Sequence, residues 1–151
     1  MSESTESREY PDRPFVGVGV IVVGPCGILM IKRGKPPRAG TWSLPGGAQH
    51  IGETVEEAAR REAQEETGIE VEVLGLVDVV DSIRRDEAGR IQYHYTLVDV
   101  LAREVGGTLA AGGDAMDAKW VALSELAALD LWSETTRVID LAVEKAAAVG
   151  D

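Results

Sequence analysis

The chain has 151 residues, of which 44% are hydrophobic and 27% are charged, and its formal net charge at pH 7 is −11. These proportions predict one globular domain with its own hydrophobic core. The acidic balance, without any cluster of Lys and Arg, excludes a nucleic acid polymer as the expected partner, because its phosphate backbone would be repelled. A small phosphorylated molecule is compatible with this charge if divalent cations bridge the two negative partners.

The apolar runs are all shorter than the roughly 20 residues that a membrane-spanning helix needs. Residues 1–13 are polar, which predicts a disordered tail and lacks the apolar stretch of a signal peptide. We therefore expect a cytoplasmic protein without membrane contact, built from this tail and a single domain over residues 14–149.

The first half of the domain reads as strands and turns. Two runs rich in β-branched residues, 15–23 and 28–31, flank a Gly-Pro-Cys-Gly turn and predict a β-hairpin. A loop is predicted over 34–40, where prolines and glycines interrupt the pattern, and a short extended piece over 42–44.

The period then changes to that of a helix. Thr54, with Glu57 three residues later, forms the pattern of a capping box, so a helix is predicted up to Thr67 with Gly68 as its stop. The rest of the chain predicts strands, loops and short helices: strands over 69–80, 91–101 and 119–121, a glycine-rich loop over 106–113, and helices that begin at Ser124 and Ser133. The order of elements predicts an α/β sandwich around a mixed sheet.

Carboxylates lie on the apolar side of the predicted helix. At about 100° per residue, Glu62 and Glu66 project within the same arc as Ala58 and Ala59, the face that should be buried. Buried carboxylates need counter-charge, and two or three that converge suit a hard divalent cation such as Mg²⁺. A solvated helix with ion pairs four residues apart explains the helix equally well when it is taken alone.

The loop before the helix favours the metal interpretation. Pro45, Gly46 and Gly47 allow an open turn whose backbone carbonyls face the helix and can serve as metal ligands. A glycine-rich loop followed by an acidic helix is typical of combined phosphate and metal binding.

Residues 47–69, called the box below, resemble the signature of the Nudix hydrolases. That signature reads Gly, five residues, Glu, seven residues, Arg-Glu, an aliphatic residue, any residue, Glu-Glu, any residue, Gly and an aliphatic residue. It is matched here without a gap by Gly47, Glu53, Arg61, Glu62, Glu65, Glu66, Gly68 and Ile69. Ala63 departs from the pattern, since the family usually has a larger aliphatic residue there, and His50 lies where many relatives carry another Glu.

The resemblance implies a Nudix-type α/β/α sandwich around a mixed β-sheet and a set of metal ligands. Glu62 and Glu66 look like the principal ligands, and the carbonyl group of Gly46 resembles the family's backbone ligand. Glu65 is a further ligand or a base for water. The implied cofactor is Mg²⁺, with Mn²⁺ as the alternative.

The resemblance also implies further catalytic candidates. Glu53 would pair with Arg61 and hold it in register. Asp114 and Asp117 are expected in a loop before Trp120, where Nudix members often place a late acidic residue as general base or extra ligand. A solvated loop aspartate is the competing interpretation for each of them.

Candidate substrate contacts are an arginine pair for phosphate or ribose oxygens and aromatic rings that could stack on a base: Arg33, Arg38, Trp42, Tyr93 and Tyr95. Trp42 fits a place in the core equally well. Tyr93 and Tyr95 share one face of a predicted strand, and Gln92 and His94 share the other, so one of these pairs at most faces the site.

The function implied by the resemblance is metal-dependent hydrolysis of a diphosphate linkage in a small nucleoside diphosphate derivative, by in-line attack of water on phosphorus. Looser matches in RPFVGVGVIV, WSLPGG and YHY resemble the MutT-like subgroup with ADP-ribose and nucleoside triphosphate pyrophosphatases. ADP-ribose or a related nucleotide is therefore the favoured substrate, and a nucleoside triphosphate is the alternative. A Nudix domain that senses a nucleotide without cleaving it is the alternative of another class. Relatives commonly dimerise, so a homodimer through exposed hairpins stays open.

Overall fold

The apolar runs of the chain form a mixed sheet in the computed structural model, which describes residues 8–36 and 38–149. The strands within these residues are β1 (Phe15–Gly24), β2 (Gly27–Arg33), β3 (Trp42–Ser43), β4 (Gly46–Ala48), β5 (Ile69–Arg85), β6 (Ile91–Gly107) and β7 (Ala115–Val121). Their order is β3-β2-β1-β6-β5, with β4 paired to β1 and β7 paired to β2. β1 and β6 run parallel, whereas β2 and β4 run antiparallel to β1.

Two α-helices complete the fold, α1 (Val55–Thr67) and α2 (Ser133–Val149), with a 3-10 helix (Leu123–Leu129) before α2. The capping box that the sequence predicted is present, because Glu57 N–H donates to Thr54 Oγ1 and Thr54 N–H donates to Glu57 Oε1. Gly68 ends α1 at φ 75°, a left-handed conformation that favours glycine. Throughout the described part of the chain, every helix is too short or too polar to span a lipid bilayer.

The helices cover opposite faces of the sheet, which confirms the predicted sandwich. Alternation along β1 sends Val18, Val20 and Val22 to the side of α1. The same alternation sends Ile21 to the side of α2, where it packs with Ile139. The small side chains of α1 that meet the sheet, Ala58, Ala59 and Ala63, are fully buried, so the helix backbone lies close to the strands that carry the site.

Several boundaries differ from the prediction. β5 and β6 continue past 80 and 101, because antiparallel backbone pairing persists through polar residues once the hairpin is formed. β7 begins at Ala115 rather than near 119, since its backbone pairs with β2 along its length. Ser124 does not cap a helix: the 3-10 helix begins at Leu123, and no side-chain cap bond is formed there.

The segment before β1 was predicted to be a disordered tail. Residues 1–7 of that tail lie outside the described residues. Further on, Tyr10 N–H donates to the carbonyl oxygen of Gln92, and Tyr10 Oη donates to Asp86 Oδ2 at 2.8 Å. The guanidinium of Arg13 lies 4.9 Å from the centre of the Phe15 ring. This part of the segment therefore contacts the hairpin of β5 and β6.

Candidate active site

Arg61 of α1 donates hydrogen bonds to the loop before the helix and to strand β4. Its Nε donates to Glu53 Oε2 at 2.6 Å and its Nη2 donates to Glu53 Oε1 at 3.0 Å, so the expected pair is present and bidentate. The hydrogen bond from Arg61 lowers the pKa of Glu53 to about 2. Arg61 Nη2 also donates to the carbonyl oxygen of Ala48. The pair thus fastens the loop before α1 and strand β4 to the helix.

Glu62 and Glu66 lie on the buried side of α1, as the helical spacing predicted, and are 8% and 6% exposed. Gly46 N–H donates to Glu66 Oε1 at 2.9 Å. The carboxylate of Glu62 fills the space where a Cβ atom at Gly47 would lie, so a larger residue there would displace this carboxylate. Gly46 and Gly47 therefore lie directly against the two carboxylates, but in strand β4 rather than in the predicted open turn, because their backbone pairs with β1.

Burial dominates the electrostatics of this pair. It raises the pKa of Glu66 to about 8, and the charge of Glu62 acts in the same direction. The hydrogen bond from Gly46 N–H and the charge of Arg33 act against it. Burial also raises the pKa of Glu62, against the effect of the hydrogen bond that Arg61 Nη1 donates to Glu62 Oε2 at 2.8 Å. The guanidinium groups of Arg61 and Arg33 therefore offset the burial of the two carboxylates only in part.

The donor set fits a hard divalent cation, because it consists of carboxylate oxygens beside the glycine backbone of β4. Glu65 differs from the other two acids: its side chain is 53% exposed and lies 3.4 Å from Arg61 Nη1. Across residues 8–36 and 38–149, no three Asp, Glu, His or Cys side chains gather as a ready-made metal-ligand group. In this arrangement Arg61 engages Glu62, and the Gly46 amide engages Glu66.

A cavity of about 910 Å³ opens next to the box and extends to the N-terminal end of α2. Gly46, Gly47 and Glu66 line one part of it, and Trp132 and Thr135 line another. Cationic side chains lie at the end of β2 and in the loop after it, where Arg33, Lys35 and Arg38 border the cavity. These positive groups beside the acidic box suit a ligand that carries phosphate.

Four of the five predicted substrate contacts line this cavity. Arg33, Arg38, Trp42 and Tyr95 line it, whereas Tyr93 lies outside its lining. Tyr93 pairs with Arg84, two residues closer to the hairpin turn than Tyr95 and next to a register shift of the ladder. Trp42 packs against the core on the side of α2 and also borders the cavity. Lys119 Nζ lies 4.5 Å from the centre of its ring.

The two predicted aspartates, Asp114 and Asp117, differ in their position relative to the cavity. Asp114 lies in the loop before β7, borders the cavity and pairs with Lys35 Nζ at 3.1 Å. The prediction of a loop is wrong for Asp117, which lies within β7 opposite Lys32 and accepts the N–H of Ala118. Its side chain is exposed outside the cavity lining, so Asp117 is not brought to the box.

Sequence reasoning missed Asp99, which lies in the middle of β6, is 5% exposed and lines the cavity. Burial raises its pKa to about 6, and the charge of Asp78 adds to this effect. A signal was present in the sequence, because Asp99 is the single charge in the apolar run 97–102 and shares its face with Leu97 and Leu101.

Comparisons with known proteins agree with this fold. The NUDIX domain family model matches residues 13–142. A MutT NUDIX hydrolase from Burkholderia pseudomallei superposes with a TM-score of 0.74 and 34% identity, over 86% of this chain and 98% of that one. The chain therefore belongs to the NUDIX family.

Two relatives indicate the range of activities among similar proteins. An ADP-ribose pyrophosphatase from Methanocaldococcus jannaschii is 42% identical over 113 residues, which are 75% of this chain and 64% of that protein. A putative 8-oxo-dGTP diphosphatase 2 from Mycobacterium tuberculosis is 47% identical over 67 residues, which are 44% of this chain and 47% of that protein. The matches thus span less than two thirds of the length of these curated relatives.

Proposed function

We propose that this chain hydrolyses the diphosphate linkage of a nucleoside diphosphate derivative, with ADP-ribose or a related nucleotide as substrate and Mg²⁺ as cofactor. The observation that carries the proposal is the buried pair Glu62 and Glu66, which lies against Gly46 and Gly47 beside a cavity bordered by cationic side chains. The similarity to an ADP-ribose pyrophosphatase supports this choice of substrate.

Glu62, Glu66 and the carbonyl group of Gly46 would hold the cation, with Glu65 as a further ligand from the exposed edge of α1. When bound, a divalent cation neutralises phosphoryl oxygens and lowers the pKa of a coordinated water. Ionised Glu62 and Glu66 would then have the counter-charge that their burial requires. Glu53 and Arg61 would keep the loop and α1 in register.

The reaction requires a charged linkage to be held while water attacks. Arg33 and Arg38 border the cavity and would bind the phosphate oxygens. The water oxygen forms a bond to one phosphorus, and the bond from that phosphorus to the bridging oxygen breaks. The proton lost by the water passes to a carboxylate, for which Glu65 and Asp114 are the candidates. The products are a nucleoside monophosphate and a second fragment that keeps its own phosphate.

A nucleoside triphosphate is the second candidate substrate. The similarity to a putative 8-oxo-dGTP diphosphatase favours it, because the 67 matched residues reach 47% identity. The same carboxylates and the same attack on phosphorus would serve either substrate. What differs is the group beyond the linkage, a sugar phosphate in one case and pyrophosphate in the other.

The test is to incubate the purified chain with Mg²⁺ and either ADP-ribose or 8-oxo-dGTP and to separate the products by anion-exchange chromatography. AMP with ribose 5-phosphate supports the first proposal, and 8-oxo-dGMP with pyrophosphate supports the second. Binding of ADP-ribose in calorimetry without any product would identify a domain that senses the nucleotide and would overturn both. Glu66→Gln should lose most activity, and Glu56→Gln, exposed on the same helix, is the matched control.

The homodimer and the cytoplasmic location stay predictions. β5 is an edge strand of the sheet, and Leu76 and Val79 on it are 52% and 49% exposed. We expect a second copy to cover this strand, since a long apolar edge favours pairing. Light scattering of the purified chain measures the mass, and a value near 16.1 kDa would rule out a stable dimer.

A further inference from the structure

Asp99 is a buried acidic residue in the wall of the cavity. It is 5% exposed. Among the described residues none donates a hydrogen bond to its carboxyl group. The nearest cation, Arg137, is engaged elsewhere, because its Nη1 donates to Asp78 Oδ2 and its Nη2 donates to Glu134 Oε1, both at 2.8 Å.

A carboxyl in this place has a cost that the fold does not offset. Its neighbours on the same face of β6 are Leu97 and Leu101, and an aliphatic residue between them would avoid the burial of an unpaired acid. The strand beside it leaves room for the carboxyl: a Cβ atom at Gly19 would overlap Asp99 Oδ1. Asp99, packed against Gly19, therefore forms a polar notch between Leu97 and Leu101 of β6.

The register of the sheet relates this notch to the box. Asp99 lies opposite Gly19 of β1, and Gly19 lies opposite Gly46 of β4, the residue whose amide holds Glu66. Neighbouring strands are about 4.8 Å apart, so two steps place the notch about 10 Å from the Gly46 backbone. A nucleotide can span this distance with its phosphates at the box and its base at Asp99.

The surroundings of the notch suit a base better than a phosphate. Leu97, two residues before Asp99 on the same face of β6, and Trp132 add apolar surface to the cavity. A second phosphate at the notch would face the negative charge of Asp99 and of Asp78 across the strands. A carboxylate accepts hydrogen bonds, and the donors on a base edge are its amino and imino groups.

We propose that Asp99 is a specificity-determining residue that accepts a hydrogen bond from the exocyclic amino group of the substrate's base. The inference rests on the proposed nucleotide function and adds the group that the cavity recognises. It places the selection in β6, outside the box, so that the chemistry at Glu62 and Glu66 is shared by all substrates while Asp99 discriminates among them.

The experiment compares adenine with purine, which lacks the amino group. Calorimetry gives the Kd of AMP and of purine riboside 5′-monophosphate without any turnover, and kcat/KM is measured for ADP-ribose and its purine counterpart. The unaltered chain should prefer the amino-bearing partner roughly tenfold or more, because a site built to bind a donor rejects the analogue that lacks it. In Asp99→Ala this preference should fall to within about threefold.

Asp99→Asn is the second variant, because it keeps the shape of the side chain and one acceptor oxygen, and it should retain part of the preference. Asp140→Asn, exposed on α2 and outside the cavity lining, controls for the change in net charge. Thermal unfolding of each variant separates misfolding from altered recognition.

The outcomes separate the two proposals. A full preference for adenine in both Asp99 variants would overturn the inference, as would the absence of any preference in the unaltered chain. If hydrolysis occurs and the preference does not depend on Asp99, the inference fails and the proposed function stands. If no diphosphate compound is cleaved but the binding preference collapses in Asp99→Ala, the inference stands and the hydrolase proposal fails.

Discussion

Replacing Glu66 by Gln should stabilise the metal-free protein while it removes most of the activity. Burial raises the pKa of Glu66 from 4.5 to about 8, so at pH 7 the folded chain keeps this carboxyl mostly protonated, whereas the unfolded chain ionises it. Folding at pH 7 therefore protonates a carboxyl group whose pKa in the unfolded chain, 4.5, lies 2.5 units below the pH. At about 1.4 kcal/mol per unit this costs about 3 kcal/mol. Gln has no such cost, and its amide oxygen can still accept the N–H of Gly46.

The sign of the effect follows from proton binding. The folded chain binds the extra proton between pH 4.5 and about 8, so the stability of the unaltered protein should fall as the pH rises through this window. Glu66→Gln should lack this slope, and its advantage should vanish near pH 4. Mg²⁺ should reverse the order, because a cation held by Glu66 stabilises only the unaltered chain.

Urea unfolding of the two proteins in a chelating buffer at pH 4, 6 and 8 measures this difference, with Glu56→Gln as the control for charge on the exposed side of α1. The reasoning would be refuted by a variant that is less stable than the unaltered chain at pH 7 without metal. It would be refuted equally by a variant that keeps the same dependence on pH.

Three further predictions test the surrounding parts. Chelation of the metal should abolish turnover and leave the far-UV circular dichroism unchanged, since the buried clusters on both faces of the sheet are aliphatic. Unfolding on chelation would instead indicate a structural metal. Gly47→Ala should displace the Glu62 carboxylate and lower kcat/KM at least roughly tenfold. The free energy of unfolding should fall by about 1 kcal/mol or less, because the group that must move is the end of a flexible side chain. Near-normal kinetics would contradict this prediction. Arg61→Ala should lower the free energy of unfolding by about 1 to 2 kcal/mol at pH 7, after allowing for solvent screening. This loss should fade as the pH drops from 4.5 towards 2, where Glu53 takes up its proton. A loss that does not depend on pH would count against the ion pair.

The local features of the box were readable in the sequence because they depend on near neighbours. A helix with Thr54 and Glu57 at its start and Gly68 at its end follows from hydrogen bonds and backbone preferences within a few residues. Helical periodicity placed Glu62 and Glu66 in the arc of the buried alanines, and the glycines before the helix favoured the buried interpretation over a solvated one.

The remainder depends on partners distant in sequence, and only the tertiary structure decides it. Asp117 lies in a strand because β2 pairs with it, and Tyr93 lies two residues nearer the hairpin turn than Tyr95, outside the cavity lining. Asp99 reaches the cavity wall because the parallel pairing of β1 with β6 places it opposite Gly19. Such contacts join segments tens of residues apart, and their register is set by the packing of the whole sheet rather than by any local pattern.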